Sequence, residues 1–124
     1  MSDALRLSSV TLNCHDAQAL ADFYADITGG VVAFCRGGWG TVATAGGRID
    51  IQAVEGYERP QWPGPSGTSL LHLDFLVDDL AAAERRVLEA GAARFEFQPN
   101  SDHCLVFADP AGHPFCLTTV DALG

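Results

Sequence analysis

One order of signals occurs twice in this chain. "SVTLNCHDAQALADFYADITGG", from Ser9 to Gly30, and "HLDFLVDDLAAAERRVLEAGA", from His72 to Ala92, each pass from an alternating stretch through an aspartate and a helical pattern to glycine. A shift of 63 residues sets Val10 on Leu73, Leu12 on Phe75, Cys14 on Val77 and Asp16 on Asp79. Few residues are identical, but the sequence of physical cues is the same. Alternation predicts a strand with two unlike faces. Leu20, Phe23, Tyr24 and Ile27, and then Leu80, Ala83, Val87 and Leu88, recur at helical spacing. Asp16 and Asp79 stand where a carboxylate can accept a free backbone N–H at a helix start, and Gly29 and Gly91 stand where helices stop.

Three strand-like stretches follow each helix. They are "GGVVAFC", "GTVATAG" and "RIDIQAV" in the first half, and "AARFEFQ", "HCLVFAD" and "PFCLTTV" in the second. The expected fold class is therefore α+β, with paired βαβββ modules. Module one spans about residues 7–56 and module two about 70–121, joined by a Pro/Gly/Ser-rich connector at about 57–69. Either half alone is too short to bury a sufficient core, so the 124 residues are read as a single domain.

Composition narrows the partners. A net charge of -9, with 16 acidic and 7 basic residues, disfavours nucleic acid and anionic lipid, and no Lys/Arg cluster offsets it. No apolar run approaches the roughly 18 residues of a membrane helix. "MSDALRLSSV" lacks the basic and then apolar pattern of a leader. Cys14, Cys35, Cys104 and Cys116 stand singly, without a CxxC pair, which points away from a zinc ribbon or dithiol motif and towards a reducing cytoplasm.

Strand periodicity assigns the site candidates. Ser9, Thr11 and Asn13 share one face, as do Asp50, Gln52 and Val54, His72, Asp74 and Leu76, and Cys116 and Thr118. A polar row with few charges suits a small neutral or weakly polar ligand held by hydrogen bonds. Trp62 and Trp39 are read as aromatic walls, with a hydrophobic plug or a dimer contact as the equal alternative for Trp62. His72 is the residue suited to ligand contact or acid–base work, and Asp74 is its potential partner as a general base. The alternative for His72 is a hydrogen-bonded structural histidine. Cys116 has no basic sequence partner and reads as a small buried residue rather than a nucleophile.

With "ALADFYADITGG", "HLDFLVDDL", "DPAGHPF" and the connector's Trp62-Pro63 in order, the chain resembles the vicinal oxygen chelate superfamily over about residues 7 to 120. That superfamily includes glyoxalases, bleomycin-resistance proteins, fosfomycin-resistance enzymes and extradiol dioxygenases. The resemblance is to its glyoxalase-like branch. It implies eight strands in curved mixed sheets around a cleft, often completed by a second chain. It also implies, in catalytic members, a divalent metal held by one residue from the first and last strands of each module, commonly His or Glu. Carried over, those positions fall on Ser9, Gln52, His72 and Cys116, of which His72 alone is of the expected type. Serine and glutamine bring no charge, and a cysteine thiolate would favour zinc and require loss of a proton.

The expectation is thus a small-molecule-binding protein of the drug-sequestering or metabolite-binding kind. It would be homodimeric, with a degenerate metal site and no resident cofactor. Two enzyme readings stay open, both of a glyoxalase-like lyase or isomerase. One holds a divalent ion on His72, Gln52 and Cys116, and the other is metal-free and uses His72 and Asp74.

Overall fold

The computed structural model describes residues 3–64 and 71–120. The elements are β1 (Val10–Cys14), α1 (Ala17–Thr28), β2 (Val31–Arg36), β3 (Trp39–Ala43), β4 (Arg48–Ala53), β5 (Leu73–Leu76), α2 (Leu80–Ala90), β6 (Ala93–Arg94), β7 (Cys104–Ala108) and β8 (Pro114–Thr118). They fall into two compact units, Met1–Tyr57 and Glu58–Gly124. Each unit is a βαβββ module with a four-stranded sheet, ordered β1-β4-β3-β2 in the first and β5-β8-β7-β6 in the second. In each, the first strand runs parallel to the last and the remaining pairs are antiparallel. This is the α+β paired-module architecture that the duplicated signals predict.

The helices start and stop where the sequence says. Asp16 and Asp79 are the N-caps, each accepting from a backbone N–H three residues on, at 3.1 Å. Gly29 and Gly91 close the helices with left-handed φ of 68° and 116°, a conformation that glycine adopts without Cβ strain. In the first unit, Leu20, Ala21, Phe23 and Tyr24 of α1 are buried, as are Val42, Ile49 and Ile51 of the sheet. In the second, Phe115 is the centre of an aromatic core, edge-on to Phe75 at 5.9 Å and stacked on Phe107 at 5.8 Å. Burying a side chain of this size contributes about 1.5–3 kcal/mol.

The described part of the connector packs within the second unit. Trp62 lies 4.8 Å from Phe95 and 5.7 Å from Phe97, and Arg59 donates to the Pro110 carbonyl at 2.9 Å. Arg59 also covers Gly112, where φ is 92° and a Cβ would come within 3.0 Å of the guanidinium. The "DPAGH" turn is held from inside by buried Asp109, whose Oδ1 accepts from Ala111 N at 2.8 Å and His113 N at 3.0 Å. His113 is thus a turn residue. The rest of the expected connector, residues 65–69, and the expected limits of module two at 70 and 121 lie outside the described residues.

One strand is shorter than its sequence predicts. "AARFEFQ" pairs only through Ala93 and Arg94. Beyond them Phe95 N still donates to Val106 O at 3.3 Å, and the Gln98 side chain joins it at Val106. Its Oε1 accepts from Val106 N at 2.8 Å, and its Nε2 donates to Val106 O and Phe95 O, both at 2.8 Å. A side-chain amide presents the same donor–acceptor pair as a backbone peptide, so it can end a strand without leaving its neighbour unsatisfied. Among the described residues, no helix is long and apolar enough to cross a membrane.

Candidate functional site

Each sheet turns one face to its helix and carries the polar candidates on the other. In the first unit the polar face centres on Asp50, which is 3% exposed and saturated with donors. Arg48 grips both oxygens, through Nε to Oδ1 at 3.0 Å and through an Nη to Oδ2 at 2.8 Å. Thr41 Oγ1 donates to Oδ1 and Ser9 Oγ to Oδ2, both at 2.8 Å. These bonds, the one to Arg48 foremost, hold the Asp50 carboxyl below the usual carboxylate range against the opposing effect of burial. The same pairing raises the pKa of Arg48.

In the second unit the corresponding face brings together His72, Asp74 and Cys116. His72 Nε2 lies 3.1 Å from Asp74 Oδ1, and both side chains are substantially exposed. The Cys116 sulfur completes a cluster in which the three potential ligand atoms lie within 4.8 Å of one another. Cys116 is 8% exposed. Burial pushes its thiol up to about 12, and the Asp74 carboxylate and Cys104 thiol beside it add to the rise. The unliganded side chain is therefore a thiol, not a thiolate nucleophile.

The strand register revises one correspondence read from the sequence. β1 pairs Thr11 with Asp50, and β5 pairs Asp74 with Cys116. Thr11 and Asp74 are equivalent under the internal repeat, so the counterpart of Cys116 is Asp50. Gln52 instead corresponds to Thr118, which pairs with Leu76. Sequence reasoning placed Asp50 on the right face but gave it no role and passed over Arg48. The available signal was the arithmetic of parallel pairing, applied to both modules at once.

The other candidates are spread over the two faces. Thr11, Asn13 and Gln52 are exposed on the first sheet, and Trp39 pairs with Gln52 across the β3–β4 ladder. Thr118 donates to the His103 carbonyl at 3.2 Å and accepts from Val120 N at 3.0 Å. Trp62 rests on Phe95 and Phe97. The first unit also has a shallow depression of about 420 Å³ lined by His15, Gln18, Cys35 and Arg36, among others, but by none of the predicted site residues.

The Glyoxalase-like domain family matches residues 9–118. The chain belongs to this family. With it the superfamily resemblance is established, and solved structures agree on the fold. The fosfomycin resistance protein FosX from Mesorhizobium loti superposes with a TM-score of 0.70 at 18% identity, covering 99% of this chain and 96% of that one. A FosX variant from Listeria monocytogenes, complexed with Mn(II) and 1S,2S-dihydroxypropylphosphonic acid, gives 0.72 at 19% identity, covering 98% and 94%. Oxidase ChaP-H2 gives 0.67 at 27% identity, covering 94% of each chain. No curated protein matches.

The metal centre that the family resemblance implies can be tested against these residues. By register its positions are Ser9 and Asp50 in the first unit and His72 and Cys116 in the second. The first pair does not fit. A carboxylate gripped on both oxygens by a guanidinium, with two hydroxyls donating to it, has no lone pair turned outward for an ion, and the cation beside it repels one. Ser9 and Asp50 therefore do not fit the metal that the family resemblance implies.

Proposed function

We propose that this member of the glyoxalase-like family binds a small, weakly polar molecule and returns it unchanged, its family metal centre having degenerated. The observation that carries this reading is the closed Arg48–Asp50–Ser9–Thr41 network. Its ion pair and two hydroxyl bonds engage both oxygens of the carboxylate that would otherwise be offered to an ion. Around it stand neutral hydrogen-bonding groups, Thr11, Asn13 and Gln52, of the kind that orient a ligand without reacting with it. The protein acts as a homodimer in this reading, supported by apolar Val31 and Phe34, exposed on the outermost strand of the first sheet. A cytoplasmic location fits its four free thiols.

The relatives named for fosfomycin resistance supply the first probe. The test incubates tag-free protein with fosfomycin and with a panel of neutral polar metabolites, follows the melting temperature, and weighs every recovered compound by mass spectrometry. A compound that raises the melting temperature and comes back with its mass intact supports the reading. A compound converted to a new mass overturns it.

The 3.1 Å contact between His72 and Asp74 favours a second reading, metal-free acid–base chemistry with the imidazole as base and the carboxylate holding its orientation. Conversion that ignores chelator and disappears in His72→Ala would establish that reading in place of the first.

A further inference from the structure

The second unit holds a donor set that the binding reading does not use. Its geometry follows from the strands. Asp74 and Cys116 are register partners across the parallel β5–β8 pair. His72 lies two residues before Asp74 and so on the same side of the chain. One imidazole, one carboxylate and one thiol thus converge on one face of one sheet.

We propose that His72, Asp74 and Cys116 form a zinc site built wholly within the second unit. All its donors come from that unit, and neither Ser9 nor Asp50 takes part, which separates it from the two-module centre of the family. Ligand atoms around a tetrahedral zinc, with bonds of about 2.0–2.3 Å, lie roughly 3.3–3.8 Å apart. The His72–Asp74 contact of 3.1 Å is already close to that, and the three atoms within 4.8 Å need only side-chain rotation to reach it. His72 and Asp74 are exposed, while buried Cys116 provides the fixed point. Thiol donors select zinc over magnesium or manganese, which prefer oxygen. Cys116 exchanges its proton for a bond to the ion, and the proton leaves to solvent.

The site goes beyond the binding reading and does not rest on it. Its test is metal loading of the full chain. Reduced, chelator-stripped protein is titrated with zinc alone and, separately, with cobalt(II), whose thiolate complexes absorb in the near ultraviolet. The expected result is about one zinc per chain and a cobalt–thiolate band. Cys116→Ser and His72→Ala should each weaken zinc by more than about 100-fold, since ligands count for more than the residues that orient them. Cys35→Ser and Asp50→Asn should retain both stoichiometry and band.

Two results overturn the proposal. One is wild-type protein that takes up no zinc or gives no thiolate band, a readout independent of how any variant folds. The other is loss of the ion in Asp50→Asn as complete as in His72→Ala, which would mean a centre shared between modules. Turnover of a small molecule would sink the binding reading and leave the cobalt spectrum untouched, so the two can fail separately.

Discussion

Removing the charge from Asp50 leaves Ser9, Thr41 and Arg48 donating to a poorer acceptor in a nearly closed space. Asp50→Asn should cost about 1–3 kcal/mol, the range for a buried group deprived of charge-assisted hydrogen bonds. Urea unfolding beside wild type measures it. The cost should depend on pH with a definite sign. The folded carboxyl titrates below its unfolded value, so its contribution is fully present above the ordinary carboxylate range, near about pH 4. It is lost as pH falls through the lowered folded value. The gap between wild type and Asp50→Asn should therefore be constant towards neutrality and narrow in acid. A gap that widened in acid would show that Asp50 is not the acceptor described.

At the scale of elements, much of this chain could be read from its sequence, and each success has a local cause. Asp16 and Asp79 announce helix starts because a short carboxylate at that position meets a free N–H within the same turn. Asp79→Ala should accordingly cost about 1 kcal/mol, seen as a lower thermal midpoint with unchanged helix content. What stayed hidden is what depends on distant residues. "AARFEFQ" has the composition of a strand along its whole length, yet pairing stops where Gln98, eight residues before Val106 in sequence, reaches the same backbone groups. Gln98→Ala leaves the Val106 N–H and carbonyl without those bonds. It should destabilise the chain by about 1–3 kcal/mol and speed hydrogen exchange at the Val106 amide selectively. The Asp50 correspondence was hidden for a similar reason. Alternation identifies a face, but only the pairing of Thr11 with Asp50 and of Asp74 with Cys116 says which residues on it are equivalent.

Across the whole molecule, the duplicated modules have kept one backbone plan and diverged in what their polar faces carry. The first carries a self-neutralising ion pair, and the second an imidazole, a carboxylate and a thiol. A chain of net charge -9 attracts cations in general, so selective uptake has to come from the donors and not from the overall field. Selective uptake leaves a thermodynamic trace. An ion that binds only the folded chain stabilises it by about 2.7 kcal/mol when its free concentration is 100 times the dissociation constant. Zinc should therefore raise the midpoint of chemical unfolding, chelator should reverse the rise, and Cys116→Ser should abolish it. In Asp50→Asn the rise should be the same as in wild type, superimposed on a lower starting stability, because the two clusters have no donor in common and independent effects add. A zinc increment that shrinks with Asp50→Asn would instead mean that the modules share the ion, and the divergence inferred from their polar faces would be wrong.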